Sequence, residues 1–254
     1  MKISQLASAK KRKIVHLLGK RFLRLIATVQ THCSTVPISP FLPRKTFTWI
    51  PELESQFPAI LNEFKIVWKE PTKIPAFHQL SPDQARISTK DNWKTYAFFI
   101  FGDAVIDNCA QCEKTTEALV KIPNLQNAWF SILAPKYRIP AHRGPTKALI
   151  RCHLGLKIPR NRNECWLRVD NVIATWEEGK CLLFDDTFEH EVQNNTNEYR
   201  AVLFIDVERP MNKIGQLINT LVLSLMQTTR YVKDPIKNLR IWNKRLTSKV
   251  DPNN

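Results

Sequence analysis

Apolar and polar residues alternate along several short segments between residues 128 and 210, and this period of two is typical of β-strands. The clearest alternation runs through 146–158, where the even-numbered positions are apolar from Ala148 onwards. Arg151 and His153 therefore lie together on the opposite face of the predicted strand. Further strands are predicted at 165–169, 172–176, 181–185 and 200–207, and together they indicate a jelly-roll or related double-sheet barrel.

Two adjacent strand segments, 172–176 and 181–185, are separated by the sequence Glu-Glu-Gly-Lys. A short polar connection that contains glycine is typical of a β-hairpin, so these two strands are expected to pair with each other. Upstream, the aromatic and β-branched residues of 91–102 predict another strand that ends at a glycine. Apolar spacings of three and four predict helices at 51–64 and 113–121.

Helical periodicity marks both ends of the chain. Residues 1–35 combine a stripe of leucine, isoleucine and phenylalanine with a face rich in lysine and arginine. Residues 217–226 carry a second apolar stripe, and the helix predicted after Pro235 intersperses apolar residues with four cations: Lys237, Arg240, Lys244 and Arg245. Amphipathic basic helices are therefore predicted to flank the barrel on both sides.

The chain length of 254 residues suits a single barrel domain with appendages. A hydrophobic content of 43%, with thirteen Phe and seven Trp, is sufficient for a folded core. We therefore predict a mainly β fold with an N-terminal extension at 1–45, a barrel domain at 46–210 and a helical C-terminal extension at 211–254.

The net charge of +15 is concentrated at the ends of the chain. Residues 1–35 contain eight Lys/Arg and no acidic residue, and 210–254 contain eight Lys/Arg against two acidic residues, whereas 36–209 is nearly neutral. This distribution favours an anionic membrane surface as partner. It does not favour nucleic acid, because no basic stretch is interleaved with aromatic residues as single-strand binding requires.

No apolar run reaches the ~18 residues needed to cross a membrane, and no cleavable signal sequence is recognised. Six cysteines in such a chain are expected to be free thiols in a reducing compartment. Cys109 and Cys112 form a CxxC pair, but no second pair completes a zinc ligand set, so a structural role is favoured. We expect a cytoplasmic protein that associates peripherally with a membrane.

Two histidines lie at the ends of predicted strands. His142 is in a Pro-Ala-His-Arg-Gly-Pro turn just before the strand at 146–158, and His190 follows the strand at 181–185. Imidazoles from two strands of a barrel can hold Fe(II), Zn or Cu. From spacing alone, buried histidines that are satisfied by neighbouring groups are the more common case.

The motifs around these histidines resemble the aspartyl/asparaginyl β-hydroxylase family of Fe(II)/2-oxoglutarate dioxygenases. The resemblance covers about residues 91–210 and rests on six ordered segments: Phe-Ser-Ile-Leu-Ala-Pro (130–135), His-Arg-Gly-Pro (142–145), Arg-Cys-His-Leu-Gly-Leu (151–156), Thr-Trp-Glu-Glu-Gly-Lys (175–180), Phe-Asp-Asp-Thr-Phe-Glu-His-Glu-Val (184–192) and Arg-Ala-Val-Leu-Phe-Ile-Asp-Val (200–207). It implies a double-stranded β-helix, which agrees with the barrel predicted from periodicity.

The resemblance implies that His142 and His190 are the catalytic ligands of an Fe(II) ion. A facial triad would place a carboxylate two positions after the first histidine, where this chain has Gly144. Water is therefore expected in place of a third protein ligand. The alternatives are a ligand from Asp185 or Asp186, or a site without activity.

The family's contacts to 2-oxoglutarate map onto Ser131, His153 and Arg200. The resemblance implies that Arg200 and Ser131 hold the distal carboxylate, because a guanidinium pairs with a carboxylate through two bonds, and that His153 lies near the C1 carboxylate. Arg151 is expected to meet an anionic group of the substrate. Trp93 matches a residue on the family's substrate side, although a core position is an equal alternative. O2 completes the implied reactants.

Three functions remain open. Over nearly its full length, the chain resembles bacterial members that hydroxylate acyl chains of membrane lipids such as ornithine lipid, including Asp-Asn-Trp-Lys-Thr at 91–95, Val-Glu-Arg-Pro at 207–210 and Tyr-Val-Lys-Asp at 231–234. We favour this function. The same core would serve a peptidyl aspartyl/asparaginyl β-hydroxylase, and a non-catalytic membrane-binding module on the same fold is the third hypothesis.

Overall fold

The computed structural model describes residues 25–250, with side chains for 25–246. Most of the basic helix predicted over 1–35 lies outside the described residues, and its last part, 25–33, is helical (α1). Two antiparallel sheets enclose a common core. The prediction of a mainly β jelly roll is therefore confirmed.

The major sheet has seven strands: β1 (Phe41–Leu42), β2 (Trp93–Ile100), β3 (Asp103–Ala104), β4 (Leu125–Leu133), β6 (Leu149–Lys157), β9 (Cys181–Phe184) and β11 (Arg200–Glu208). Their order across the sheet is β1-β9-β6-β11-β4-β2-β3. The minor sheet has four strands: β5 (Tyr137–His142), β7 (Cys165–Val169), β8 (Val172–Thr175) and β10 (His190–Asn194). Their order is β5-β10-β7-β8.

The helices lie outside the barrel. Three of them cover the outer face of the major sheet: α2 (Ile50–Ser55), α3 (Phe57–Trp68) and α6 (Glu113–Val120). Two short helices, α4 (Phe77–Leu80) and α5 (Ile106–Gln111), flank β2 and β3, and the chain ends in α7 (Lys213–Thr228) and α8 (Arg230–Val250). The helix predicted at 113–121 is thus present, whereas the one predicted at 51–64 is divided at Gln56 into α2 and α3.

The two faces of the major sheet have different roles. Ile150, Cys152 and Leu154 of β6 are buried in the outer core against the helices. The residues between them face the barrel interior, as the period of two predicts. On the neighbouring strand β11, Phe204 pairs in register with His153, and Asp206 with Arg151. One inner face therefore gathers the polar candidates from several strands.

The expected hairpin between 172–176 and 181–185 is wrong. β8 pairs with β7 in the minor sheet, whereas β9 pairs with β6 and β1 in the major sheet. The residues of β9 are buried on both faces, with Leu183 in the outer core and Phe184 in the inner core, and only the major sheet covers both faces. The connection therefore crosses between the sheets.

The terminal helices pack onto the barrel. Leu223 of α7 and Val232 and Leu239 of α8 form a buried cluster with residues of β2 and β6. Gln30 of α1 donates a hydrogen bond to Asn219 of α7 at 3.0 Å. Because β1 (41–42) also pairs with β9, regions before 46 and after 210 both contact the predicted barrel domain. Within the described residues, no helix has the length and apolarity to span a bilayer.

Candidate active site

The two candidate metal ligands meet at the edge of the minor sheet. His142 ends β5 and His190 begins β10, and the two residues are register partners in this antiparallel pair. Their ring centroids are 4.2 Å apart, although 48 positions separate them in the sequence. The register shifts directly beyond His190, and bulges of this kind are frequent next to functional sites.

Both imidazoles present a free nitrogen. His142 Nδ1 lies 2.8 Å from the Pro140 carbonyl oxygen, and His190 Nδ1 lies 3.0 Å from that of Phe188. A proton on Nδ1 satisfies each contact and leaves Nε2 as a lone pair, as in metal-bound histidines. Burial lowers the pKa of His142 to about 3 and that of His190 to about 4. Both rings are therefore neutral at pH 7, as metal ligation requires.

At Gly144, where a facial triad would have its carboxylate, the space for a side chain is occupied by Asp186. A Cβ atom on Gly144 would overlap the Asp186 carboxylate, and Gly144 N donates to the Asp186 carbonyl oxygen at 2.7 Å. Asp186 is ion-paired with Arg151 at 2.9 Å, and Asp185 forms ion pairs with two other cations. Within the described residues, no group of three or more His, Cys, Asp or Glu could hold a metal ion.

Arg200 places a charge inside the barrel. Its side chain is buried (the residue is 1% exposed), with its guanidinium 4.6 Å from the Trp176 ring and Nη1 donating to the Ser131 carbonyl oxygen at 3.4 Å. None of the described carboxylates pairs with it, and its Nε has no hydrogen-bond partner. Burial lowers the pKa of Arg200 to about 10, so it remains charged at neutral pH. An unpaired buried cation indicates a site for an anion.

His153 adds a second unsatisfied donor on the same sheet face. Its Nδ1 accepts a hydrogen bond from Trp176 Nε1 at 3.2 Å. Because an indole nitrogen only donates, the proton of His153 is on Nε2, which has no partner. Burial and the charge of Arg200 hold the pKa of His153 well below its usual range. The Phe184 ring contacts both His153 and His190, so the buried region around Arg200 and His153 adjoins the histidine pair.

Ser131 and Trp93 are hydrogen-bonded to each other beside Arg200. Ser131 pairs in register with Val202, two positions along β11 from Arg200. Its hydroxyl accepts a hydrogen bond from Trp93 Nε1 at 3.0 Å, and the Trp93 ring stacks on Phe77 with centroids 4.1 Å apart. The structure thus places Ser131 next to Arg200 and makes Trp93 a buried residue of the inner core.

The charge of Arg151 is compensated within the protein. Its Nε donates to Asp206 Oδ1 at 2.9 Å, and its Nη2 contacts Asp206 Oδ2 at 3.2 Å and Asp186 Oδ2 at 2.9 Å. The guanidinium also lies 4.2 Å from the Phe204 ring. Asn127 Nδ2 donates to Asp206 Oδ2 at 3.1 Å, which fixes the carboxylate. Two carboxylates surround one cation, so this cluster has no positive charge to offer a ligand.

A cavity of about 100 Å³ opens beside His142. Its wall consists mainly of apolar and aromatic side chains: Phe77, Leu80, Ile87, Trp93, Ala97, Ile100, Phe101, Trp129, Leu149, Phe204, Tyr231 and Pro235. Its polar lining comprises Arg151, Asp186, Asp206, Asn127, Ser81, Gln84, Thr95, His142, Arg143 and Thr146. A cavity whose wall is mainly apolar suits a substrate that is itself mostly apolar.

The CxxC pair has a different character from the histidine pair. Cys109 and Cys112 are free thiols on or beside α5, and burial raises the pKa of both. A raised pKa keeps a thiol protonated and unreactive. The geometry fits the structural role that the sequence favours.

Three further residues, to which no role was assigned from the sequence, complete the site. Trp176 contacts both Arg200 and His153, and Asp206 neutralises Arg151. Both stand inside the quoted motifs, so their position in the sequence was a usable signal. Tyr231 stands in the Tyr-Val-Lys-Asp segment of the resemblance, and it lines the cavity because α8 folds back over the barrel.

The fold and the site define a jelly-roll protein with two neutral imidazoles paired at the edge of one sheet and a buried arginine that has no carboxylate partner among the described residues. The family model described as aspartyl/asparaginyl beta-hydroxylase matches residues 54–210. This protein belongs to that family of hydroxylases.

Several relatives have assigned names. An ornithine lipid ester-linked acyl 2-hydroxylase of Rhizobium tropici is 37% identical over 212 residues, which are 84% of this chain and 75% of the relative. Aspartate beta-hydroxylase domain-containing protein 2 of Rattus norvegicus is 38% identical, over 69% of this chain and 52% of the relative. The aspartyl/asparaginyl beta-hydroxylase of Homo sapiens is 34% identical, over 51% and 17%. The chain thus spans three-quarters of the bacterial relative and about half or less of these two mammalian ones.

Solved structures are similar over parts of the chain. A prolyl-4-hydroxylase of Pseudomonas putida, 14% identical, covers 61% of this chain and 88% of its own, with a TM-score of 0.38. A viral collagen prolyl hydroxylase of Paramecium Bursaria Chlorella virus-1, solved with 2-oxoglutarate, is 13% identical and covers 46% and 78%, with a TM-score of 0.32.

Proposed function

We propose that this protein is an Fe(II)- and 2-oxoglutarate-dependent dioxygenase that hydroxylates an unactivated C–H bond in the acyl chain of a membrane lipid. The observation that carries the proposal is the buried guanidinium of Arg200, which has no carboxylate partner among the described residues. An anionic ligand would compensate this charge. The dicarboxylate 2-oxoglutarate has the matching chemistry.

The residues present fit an iron(II) ion. His142 and His190 would hold it through Nε2, because both Nδ1 atoms are engaged by backbone carbonyls. With Gly144 in the position of the triad carboxylate, the remaining coordination would be left to 2-oxoglutarate and small ligands. When bound, the iron supplies the oxidation in which O2 and 2-oxoglutarate yield succinate, carbon dioxide and one hydroxylated C–H bond.

The residues around Arg200 bind and orient the cosubstrate. Arg200 pairs with the distal carboxylate of 2-oxoglutarate through its planar fork, and the ring of Trp176 shields this ion pair from water. The Nε2 proton of His153 is donated to an oxygen of the same molecule, and the Trp176 bond keeps that proton on Nε2. Ser131 lies beside Arg200, whose guanidinium donates to its carbonyl oxygen.

The cavity favours an acyl chain over an aspartate side chain. Its wall is mainly apolar, and the charge of Arg151 is already compensated by Asp186 and Asp206. A peptidyl aspartate would add a third carboxylate to this cluster, which costs free energy by like-charge repulsion in a buried site. The name of the bacterial relative, an ornithine lipid acyl hydroxylase, supports the same choice.

Two measurements test the proposal. The iron-loaded protein should convert 2-oxoglutarate to succinate in the presence of O2, and a His142→Ala variant should not. Mass spectrometry of lipids and peptides, from cells with and without the protein, should then find one added oxygen on acyl chains. Added oxygen on aspartyl or asparaginyl residues would establish a peptide hydroxylase instead. A protein that forms no succinate but still binds vesicles would be a non-catalytic module.

A further inference from the structure

Helix α7 carries an apolar stripe that the rest of the described chain leaves uncovered. Four large aliphatic residues are largely exposed: Ile214 (69%), Leu217 (66%), Leu221 (58%) and Leu225 (62%). Their spacing of three and four places them on one side of the helix over three turns. The helix is held in place on its other side, where Leu223 is buried in the core.

The stripe differs from ordinary exposed apolar residues. Residues 214–229 contain no charged side chain, so no charge interrupts the stripe. Elsewhere in the described chain, exposed residues such as Ile66 and Val120 occur singly on different helices. Single exposed residues are normal on a soluble surface, whereas a contiguous exposed patch indicates an interaction site.

The adjoining helix α8 adds positive charge. Lys233, Lys237 and Arg240 are exposed and line a surface groove together with Ile241, which is 39% exposed. Val232 and Leu239, on the opposite side of the helix, are buried in the core. The cations of α8 are thus held away from the barrel. Aliphatic side chains beside exposed cations match the chemistry of an anionic bilayer surface, with its acyl chains beneath charged headgroups.

The same helix forms part of the cavity wall. Tyr231 and Pro235 of α8 line the cavity, on either side of Lys233 in the sequence. A surface that holds α8 against a bilayer therefore also holds the cavity close to the acyl chains.

We propose that α7 and α8 together form a docking surface for an anionic lipid bilayer, with the leucine stripe in the acyl boundary and the α8 cations at the headgroups. This proposal extends the proposed function and rests on it, because the docking surface would bring acyl chains to the cavity. The physical interaction itself requires no catalysis. It is also not a membrane span, since α7 has only 16 residues.

Vesicle sedimentation of the full chain, without iron or 2-oxoglutarate, tests the surface. Wild type should bind vesicles of phosphatidylcholine with phosphatidylglycerol and bind pure phosphatidylcholine much less. The double variants Leu217→Gln/Leu221→Gln and Lys237→Gln/Arg240→Gln should each weaken this binding by about tenfold or more. Matched controls on the other side of the core, Ile66→Gln/Val120→Gln and Lys65→Gln/Lys69→Gln, should bind as wild type.

The outcomes separate docking from chemistry. Formation of succinate by the iron-loaded α7 and α8 variants should equal that of wild type, so a failure of the oxygenase leaves the vesicle result interpretable. Unchanged binding of both double variants would overturn the proposal. So would a loss of binding confined to Leu17→Gln/Leu18→Gln, which would make the N-terminal segment the anchor. Conversion of a dimer to a monomer by Leu217→Gln/Leu221→Gln would show that a second copy covers the stripe.

Discussion

Arg200 is buried in the barrel with Trp176 against its guanidinium and no carboxylate beside it. A lysine at this position would keep the charge but lose the planar fork that matches a carboxylate. We predict that Arg200→Lys weakens 2-oxoglutarate binding by about tenfold to a hundredfold, the range for charge-assisted hydrogen bonds, with little effect on iron binding.

Calorimetric titration of 2-oxoglutarate measures this change. Arg168→Lys is the matched control, since Arg168 lies on the minor sheet and pairs with Glu191 on its outer surface. Equal affinities of wild type and Arg200→Lys would show that the cosubstrate is held elsewhere.

His190 links the site to the pH dependence of stability. Its pKa is lowered from 6.5 to about 4 in the folded protein, mainly by burial. Below pH 6.5 the unfolded chain therefore binds a proton that the folded chain excludes, and stability falls as the pH falls toward 4.

We predict that this loss, measured by urea unfolding of metal-free protein, is smaller in His190→Gln than in wild type. The same slope in His190→Gln and wild type would show that the lowered pKa of His190 does not cause this loss of stability.

Gly144 is required by the position of Asp186. A methyl group on Gly144 would overlap a carboxylate that Arg151 holds in place, so the carboxylate cannot yield freely. We predict that Gly144→Ala lowers the free energy of unfolding by about 1–3 kcal/mol. In an Asp186→Ala background the same substitution should cost much less, since the overlapping group is gone.

Urea unfolding of the four proteins of this cycle gives the coupling. Additive free energies would show that the two positions do not compete for the same space.

At this scale the sequence could predict residue types but not all of their partners. The resemblance assigned His142 and His190 to one iron, and the structure brings them together as register partners. The strand pattern placed Arg151 beside His153, where it was expected to meet an anionic group of the substrate, yet Asp206 and Asp186 neutralise it. Asp206 lies 55 positions from Arg151, so only the register of β11 against β6 reveals their pairing.

At the scale of elements, the connection between β8 and β9 determines what surrounds Arg200 and His153. It crosses between the sheets and passes over Gly155 of β6, whose N and O bond to Lys180 O and Gly179 N. A Cβ atom on Gly155 would overlap the backbone oxygen of Glu177, next to Trp176. The glycine is therefore needed for the close approach that carries Trp176 into the barrel.

We predict that Gly155→Ala weakens 2-oxoglutarate binding by about tenfold without affecting iron, because a displaced Trp176 no longer orients His153 or covers Arg200. Gly215→Ala, which creates a similar overlap with Cys33 and Met211 in the C-terminal region, controls for general destabilisation. Unchanged cosubstrate affinity in Gly155→Ala would contradict the role of this crossing.

Periodicity predicted most strands but not how this crossing pairs them. The alternation in 146–158 and 200–207 placed the correct residues on the inner faces of β6 and β11. The glycine-containing connection instead indicated a hairpin. A turn signal depends only on neighbouring residues, so it does not reveal that β9 is buried on both faces. Which sheet a strand joins is decided by long-range packing.

At the scale of the whole molecule, a nearly neutral barrel is joined to basic terminal segments. The sequence predicted amphipathic helices after 210, and the structure packs them over the barrel so that α8 forms part of the cavity wall. Their packing could not be predicted, because Val232 and Leu239 become buried only against residues distant in the sequence. Substrate access and the terminal helices are therefore structurally connected.

The central claim is that His142 and His190 hold one ferrous ion in this barrel. Anaerobic titration of the metal-free protein with Fe(II), followed by calorimetry, tests it most directly. We predict one ion per chain in wild type and in the control His78→Ala, and no specific binding in His142→Ala or His190→Ala. Iron binding with the stoichiometry and affinity of wild type in either of these two variants would contradict the claim.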